Sequence, residues 1–112
     1  MKKVILDTSF ILTCMRQKID FFEKISYDGM QVIIPSQTLK ELKGLGADTA
    51  LKIISQNEFE TINAPGKDAD TAILKIAKED PSVIIATLDQ GLQKKIKNPR
   101  MIIRGKKKLE IV

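Results

Sequence analysis

The sequence predicts a three-layer α/β/α domain with a mostly parallel central sheet of about five strands. Short apolar runs typical of buried strands, such as Val32-Ile33-Ile34, alternate along the chain with segments whose apolar residues recur at helical spacing. Strands that alternate with helices pair in parallel and are covered on both faces. The chain has 112 residues, of which 43% are hydrophobic. This is enough for one core, so a single domain over residues 1–112 is expected.

The first half of the chain is predicted to contain two strands and four helices. The strands are residues 2–6 and 31–35, and the helices are residues 8–15, 19–25, 36–44 and 47–55. Thr8 or Ser9 can cap the first helix, because a side-chain oxygen there accepts a hydrogen bond from a free N–H group of the first turn. The second strand is apolar at three consecutive positions, which predicts that both of its faces are buried.

The second half is predicted to contain three strands, one further edge strand and two helices. The strands are residues 59–63, 83–87 and 101–104, the edge strand is residues 109–112, and the helices are residues 68–78 and 89–96. The first of these helices carries a single apolar stripe, which predicts that one of its faces packs on the sheet. That stripe consists of Ala69, Ala72, Ile73, Ile76 and Ala77.

Composition excludes several classes of chemistry. The chain has no histidine, so it can form neither a Ser-His-Asp triad nor a histidine-liganded zinc site. The single cysteine, Cys14, lies in an apolar stretch, which predicts a small buried hydrophobe and not a nucleophile. No apolar run approaches the length of a membrane span, and no signal-peptide apolar region follows the N-terminal lysines. A cytoplasmic protein without membrane contact is therefore expected.

Basic residues are concentrated near the C-terminus, and the chain as a whole carries a formal net charge of +5. A cationic surface favours a polyanionic partner, because neutralised phosphates supply much of the affinity for nucleic acid. A solvated lysine-rich surface is an equally good interpretation when the charge is considered alone. Aromatic residues are few, so contacts to phosphate are expected in place of base stacking. The candidate RNA-binding residues are Lys94, Lys95, Arg104, Lys106, Lys107 and Lys108.

Four acids lie where a metal-dependent nuclease would need them. Asp7 ends the first apolar run, Glu41 lies in the third predicted helix, Asp70 opens the helix of residues 68–78, and Asp89 follows the strand of residues 83–87. Open α/β sheets bind their ligands at the carboxyl ends of strands, near the starts of helices. Acids that converge there, in a chain without histidine, point to a hard divalent cation bound through oxygen.

Each acid also has a structural interpretation. Asp7 and Asp89 could serve only as helix N-caps, although their positions after apolar strands favour a site. Asp68 and Asp70 both lie near a helix start, where acids complement the helix dipole. Glu41 could be a solvent-facing partner of nearby lysines, and the residues alone favour that role.

Four segments resemble the motifs of the PIN-domain nucleases: Val4-Ile5-Leu6-Asp7-Thr8-Ser9, Leu39-Lys40-Glu41-Leu42, Asp68-Ala69-Asp70-Thr71-Ala72-Ile73-Leu74 and Ala86-Thr87-Leu88-Asp89. They occur in the order of the family and cover nearly the whole chain. The resemblance implies a PIN-like fold in which the acids meet at one end of the sheet and hold Mg²⁺ or Mn²⁺. It assigns metal binding and catalysis to Asp7, Glu41, Asp70 and Asp89. It also implies that Thr8, Ser9 and Thr87, with Asp68 as a weaker candidate, support the site by hydrogen bonds.

Within the family, residues 87–96 and the basic strand after them look most like the branch that processes ribosomal RNA. The resemblance therefore implies a metal-dependent endoribonuclease that acts on RNA. A toxin-type RNase and a noncatalytic RNA-binding PIN domain are the alternatives, so the implied protein partner is a ribosome-assembly factor or an antitoxin. Gly91 departs from many relatives, which carry a further acid there, and this departure bears on a second metal ion.

Family members are often dimers, so the resemblance also implies a homodimer. Phe10, Ile11, Phe21 and Phe22 lie in apolar helices of the N-terminal half and are predicted to supply its surface.

Overall fold

The computed structural model describes all residues, 1–112, and contains six strands and six helices. The strands are β1 (Lys3–Leu6), β2 (Gln31–Pro35), β3 (Glu60–Ile62), β4 (Ile84–Ala86), β5 (Arg100–Arg104) and β6 (Lys108–Ile111). The helices are α1 (Thr8–Arg16), α2 (Phe21–Tyr27), α3 (Ser36–Gly44), α4 (Asp48–Ser55), α5 (Ala69–Glu79) and α6 (Gln90–Lys95).

The strands form one sheet in the order β3-β2-β1-β4-β5-β6. All neighbours pair in parallel except β5 and β6, which form an antiparallel hairpin. The strand β1 lies between β2 and β4, with Ile5 level with Ile33 on one side and Ile85 on the other. From β1 the chain first adds β2 and β3 on one side of β1. It then crosses back and adds β4, β5 and β6 on the other side. The boundary between β1 and β4 is therefore a topological switch point, where α/β sheets form their binding crevices.

Alternate side chains of the central strands enter two separate cores. Val4 and Leu6 of β1 pack in a core with helices α1, α2, α3 and α4, whereas Ile5 packs in the other core with α5 and α6. The same alternation holds in β2 and β4, because successive side chains of a strand point to opposite faces. This arrangement confirms the predicted three-layer α/β/α fold and the burial of β2 on both faces.

Most elements begin or end one or two residues away from their predicted bounds. Helix α2 begins at Phe21 and not at Ile19, because Asp20 caps it by accepting a hydrogen bond from the Glu23 N–H at 3.0 Å. The C-terminal edge strand begins at Lys108, one residue earlier than predicted, and is the sixth strand of the sheet. The longest helix has 11 residues, and none has the length and apolar content of a transmembrane span.

The predicted dimer surface is wrong. Phe10 and Ile11 are 0% exposed, and Phe21 and Phe22 are 2% and 4% exposed. The rings of Phe10 and Phe21 meet edge to face, with centroids 6.3 Å apart, inside the core that helices α1 to α4 form with the sheet. The apolar faces of these helices therefore pack inside the domain and cannot form a dimer interface. The homodimer itself stays a prediction, with no surface assigned to it. Cys14 is also fully buried, as its apolar surroundings predict.

Candidate active site

The candidate acids lie at the carboxyl edge of the sheet. Asp7 directly follows β1, and Asp89 lies three residues after the end of β4, the strand beside it. These two acids flank the switch point between β1 and β4. Glu41 reaches the same edge from α3, and Asp70 lies in the first turn of α5.

Asp7 is buried, with only 3% of its surface exposed, and its carboxylate accepts three hydrogen bonds. Its Oδ1 accepts from the Thr8 N–H at 2.9 Å, and its Oδ2 accepts from the Thr87 hydroxyl at 2.7 Å and the Ser9 hydroxyl at 3.1 Å. Burial raises the pKa of Asp7, and these hydrogen bonds oppose the increase. Asp7 therefore caps α1 and also receives two hydroxyl donors that a helix cap does not require.

Both carboxylate oxygens of Glu41 accept hydrogen bonds. The Thr8 hydroxyl donates to Oε1 at 2.7 Å, and the Ala69 N–H donates to Oε2 at 2.7 Å. Ala69 is the first residue of α5, so Glu41 joins the start of that helix to the start of α1. A carboxylate is favourable at this point, because the first N–H groups of a helix lack partners within the helix.

Two aspartates at the start of α5 have different roles. Asp68 is the N-cap, and its Oδ1 accepts from the Thr71 N–H at 2.8 Å. Hydrogen bonding from the Thr71 side chain, and then from this N–H, lowers the pKa of Asp68. The pKa of Asp70 is instead raised to about 6, first by desolvation and then by the negative charges of Asp7 and Asp89. Asp70 thus interacts with the other acids of the site, whereas Asp68 mainly serves the helix start.

Thr87 connects the ends of β1 and β4. It is fully buried, donates its hydroxyl hydrogen to Asp7, and accepts from the Asp89 N–H at 3.1 Å. Asp89 caps α6 by accepting from the Leu92 N–H at 3.2 Å. The hydroxyl of Ser9 also accepts from the Leu88 N–H at 3.2 Å. The polar contacts at this edge therefore position Asp7 and Asp89 relative to one another.

The donor set fits a hard divalent cation, although the acids do not form a complete cage. No group of three or more acidic or cysteine side chains is close enough in this structure to hold one ion. Desolvation raises the pKa of Asp70, and the negative charges of Asp7 and Asp89 nevertheless reach this carboxylate and raise its pKa further. Like charges at this separation are unfavourable without a cation, and carboxylate oxygens are the ligands that Mg²⁺ prefers.

The loop before α5 is fixed by two residues that no sequence pattern singled out, Gln37 and Gly66. The Gln37 side chain on α3 donates to the carbonyl oxygens of Ala64 and Gly66 at 2.7 and 2.9 Å. Gly66 has a φ of +147°, and a Cβ there would lie 2.8 Å from the backbone nitrogen of Ala72. The Pro-Gly pair marks this loop as a turn in the sequence, but no local signal links it to a glutamine almost thirty positions earlier.

The predicted RNA-binding residues occupy two elements. Lys94 and Lys95 lie on α6, while Arg104 and residues 106–108 lie on the β5–β6 hairpin. Met101 is level with Ala86, so β5 continues for three residues, or about 10 Å, past the end of β4. The tip of the hairpin therefore projects from the same edge of the sheet as the acids. There Lys106, Lys107 and Lys108 are exposed.

One of these predicted contacts has a partner within the chain. The guanidinium of Arg104 forms an ion pair with Glu110 across the hairpin. Two basic residues outside the predicted set, Lys97 and Arg100, line an open groove of about 530 Å³ together with Lys94. They belong to the same basic stretch of sequence, which is the signal that could have included them.

The largest cavity lies away from the acids. It holds about 590 Å³ and is lined by residues at the amino ends of strands, including Met1, Gln31 and Glu60. A smaller cavity of about 180 Å³ borders Asp70 and Asp89. Charge, hydrogen bonding and topology together favour the carboxyl edge as the functional site, because the larger cavity contains no comparable group of interacting acids.

Comparisons with known proteins identify the family. Residues 4–106 match the family described as a PIN like domain. Ribonuclease VapC4 from Methanocaldococcus jannaschii is 30% identical over 127 residues, covering 99% of this chain and 97% of that protein. The rRNA-processing protein fcf1 from Schizosaccharomyces pombe is 33% identical over 101 residues, covering 84% of this chain and 53% of that protein. The chain thus spans about half the length of this second relative.

Solved structures agree with this assignment. The structure of the PIN domain endonuclease Utp24 has a TM-score of 0.85 and 29% identity, covering 97% of this chain and 90% of that chain. A domain of a functionally unknown Methanocaldococcus jannaschii protein has a TM-score of 0.53 and 18% identity over 100% of this chain and 99% of that chain, and supports the fold alone. This chain belongs to the PIN-like domain family. The resemblance to PIN nucleases, including members related to ribosomal RNA processing, is confirmed.

Proposed function

We propose that this protein is a divalent-metal-dependent endoribonuclease that hydrolyses phosphodiester bonds of RNA with Mg²⁺ or Mn²⁺. The observation that carries the proposal is the charge interaction among Asp7, Asp70 and Asp89 beside the switch point of the sheet. Helix capping accounts for the positions of Asp7 and Asp89, but it does not account for Asp70, whose charge beside theirs is unfavourable. A bound cation would remove that cost, and the ribonuclease relatives support this interpretation.

The four acids would hold the metal, and the neighbouring hydroxyls would orient them. Thr87 and Ser9 donate to the same oxygen of Asp7, which limits the rotation of that carboxylate. Thr8 and the Ala69 N–H similarly fix Glu41. A metal held by these carboxylates would supply polarisation of a phosphoryl oxygen and activation of water for attack on the phosphodiester. Rigid carboxylates favour this reaction because the ligands need little reorganisation on metal binding.

The basic residues of α6 and the β5–β6 hairpin would bind the RNA backbone. Lys94 and Lys95 lie in the last turn of α6, the helix that Asp89 caps, and Lys106 to Lys108 project from the acidic edge. Cations on both sides of an acidic cleft would offset its repulsion of phosphate and would guide RNA toward it. The pairing with Glu110 makes Arg104 a weaker contributor than the lysines.

Two cellular roles are compatible with this chemistry. We favour ribosomal RNA processing, with a ribosome-assembly partner, because one relative, which is 33% identical to this chain, is named for that process. The match to Ribonuclease VapC4 over 97% of its length keeps a toxin-type RNase with an antitoxin partner as the second candidate. Either role acts on RNA, and we place the protein in the cytoplasm.

Cleavage of labelled RNA by matched variants tests the proposal. Asp7→Asn and Asp89→Asn preserve side-chain shape but remove a charge that the metal requires, so each variant should lose at least about 100-fold in rate. EDTA should abolish cleavage by the wild type. Asp28→Asn is the control, because this exposed aspartate lies in the turn after α2 at the other end of the sheet.

The same assay separates an enzyme from a noncatalytic RNA-binding domain. RNA affinity in EDTA should remain equal or increase in Asp7→Asn, since a negative charge near the phosphates is removed. Wild type that binds RNA but cleaves none of several single-stranded and structured RNAs would support the noncatalytic alternative. Cleavage that survives both Asp7→Asn and EDTA would show that metal chemistry at this site is not responsible.

A further inference from the structure

A small cavity beside the candidate active site includes three residues to which the proposed chemistry gives no role, Leu74, Gly91 and Leu92. It holds about 180 Å³ between α5 and α6, and Asp70, Leu74, Asp89, Gly91, Leu92 and Lys95 contribute to its lining. This volume equals that of about six water molecules. Sites that enclose a drug-sized ligand begin at about 300 Å³. The cavity is therefore of a size to take one part of a nucleotide and not a complete small-molecule ligand.

Beside the two acids, the lining contains two leucines and one lysine, which can contact different parts of a nucleotide. Leu74 is half-buried and supplies most of the apolar surface that a ligand could reach, and Leu92, which is 3% exposed, lies behind it, so the two form an apolar wall. Such a wall favours the flat, weakly polar face of a base, because burial there removes apolar surface from water. Lys95 is the only cationic residue of the lining and can contact a phosphate.

Gly91 keeps this space open. Its φ angle lies outside the left-handed region, so the backbone conformation does not require glycine. A Cβ at this position would lie 3.1 Å from Oδ1 of Asp89, which is closer than ordinary van der Waals contact. The absence of a side chain at position 91 therefore leaves room beside the Asp89 carboxylate and is not needed for the backbone conformation.

We propose that this cavity binds the base of the nucleotide adjacent to the scissile phosphate. Leu74 and Leu92 would contact the base, and Lys95 would contact the phosphate of the same nucleotide. Single-stranded RNA is the matching substrate, because its bases can leave the stack and enter a side pocket. This inference rests on the proposed ribonuclease function and adds a base preference at one position of the substrate.

Nuclear magnetic resonance titration of the ¹⁵N-labelled protein tests the cavity directly. The four nucleoside 5′-monophosphates should shift the amide resonances of Gly91, Leu92 and Lys95. Ribose 5-phosphate, which has the phosphate but no base, should bind about tenfold more weakly, since contact with a base contributes about 1–3 kcal/mol. Equal affinity for ribose 5-phosphate would overturn the proposal in favour of a phosphate site. Unchanged resonances at the three residues would show that the cavity binds neither group.

Substitutions locate the binding within the cavity. Gly91→Val should fill the space and abolish the preference for nucleotide over ribose 5-phosphate. Gly44→Val is the control, because Gly44 also lies in a helix and nothing lies within 4 Å of a Cβ there. Leu74→Ala leaves Gly91 and Asp89 unchanged and should weaken nucleotide binding even where Gly91→Val prevents folding. An unaltered preference in Leu74→Ala would overturn the assignment of the base to this wall.

The titration and the cleavage assay fail independently. A wild type that binds nucleotides at Gly91 but cleaves no RNA would remove the proposed activity and retain the base site. A wild type that cleaves RNA but shows no nucleotide-dependent shifts would retain the activity and remove the base site. Where cleavage occurs, the ratio of rates on RNAs that differ in one flanking base should approach one in Gly91→Val.

Discussion

Asp70 is the residue whose ionisation the fold opposes most clearly. Desolvation and the charges of Asp7 and Asp89 raise its pKa from 3.8 to about 6. The folded state therefore binds a proton more tightly than the unfolded chain does. The stability that this proton contributes is present below about pH 4 and is lost as the pH rises through 6. At neutral pH the metal-free protein keeps the carboxylate ionised at a cost to its stability.

Asp70→Asn should consequently stabilise the metal-free protein at neutral pH. The side chain is largely exposed, so solvent screening reduces the gain to about 0.5 kcal/mol, or an increase of about 2–4 °C in Tm at pH 7. The difference in Tm should shrink at pH 5, where wild-type Asp70 is mostly protonated. Calorimetry in EDTA at both pH values measures it, with Asp28→Asn as control. A lower Tm at pH 7 in Asp70→Asn would contradict this account of the site.

Metal binding should reverse the order of the Tm values of wild type and Asp70→Asn. An ion that binds only the folded state raises Tm, and wild type offers one more carboxylate than Asp70→Asn. Mn²⁺ should therefore raise the Tm of wild type by more than that of Asp70→Asn. An equal rise in both proteins would exclude Asp70 from the metal site.

At the scale of elements, the strands were the most predictable part of the fold. The apolar runs at residues 32–34 and 83–87 predict buried strands because no exposed element tolerates such a run. The start of α2 was less predictable, since the Asp20 cap overrides the apolar character of Ile19. The four acids were found as separate motifs. The raised pKa values of Asp7 and Asp70 were not predictable, because they depend on how helices and strands from distant parts of the chain pack together.

The contacts of Glu41 illustrate the same limit. A glutamate in a lysine-rich helix is usually exposed, and only the tertiary structure shows that its two oxygens join α3 to α1 and α5. Gln37 joins α3 to the loop before α5 in the same way. Helix α3 therefore determines where α5 begins and thus where Asp70 lies.

Two substitutions of Glu41 separate this connecting role from metal binding. Glu41→Ala leaves the Ala69 N–H and the Thr8 hydroxyl without their partner and should cost about 1–3 kcal/mol of unfolding free energy. Glu41→Gln should cost less than about 1 kcal/mol, because the amide can accept from the N–H and donate to the hydroxyl. Urea denaturation measures both values. If Glu41 also binds metal, Glu41→Gln should remain folded and retain only residual cleavage. Wild-type activity in Glu41→Gln would limit Glu41 to the connecting role.

At the scale of the whole molecule, acidic and basic groups occupy the same end of the sheet. The net charge of +5 is compatible with a generally cationic surface or with a specific RNA-binding face. Only a specific RNA-binding face makes the affinity for RNA depend on where the lysines lie. The lysines of the β5–β6 hairpin extend beyond the carboxyl edge, whereas Lys2, Lys52 and Lys78 are exposed elsewhere, before β1 and on α4 and α5. Two triple variants with the same net charge can therefore be compared.

Replacing Lys106, Lys107 and Lys108 by alanine should weaken RNA binding and flatten its salt dependence. Each phosphate contact on a single strand contributes about 0.7 to the slope of log K against log salt concentration, so the slope should decrease by about 2. The same substitutions at Lys2, Lys52 and Lys78 should leave the slope unchanged, because those side chains lie off the proposed RNA path. Fluorescence anisotropy with a noncleaved RNA in EDTA, repeated over a range of salt concentrations, measures both slopes. Equal decreases in the two triple variants would mean that only net charge attracts RNA, and the hairpin would then be an ordinary solvated surface.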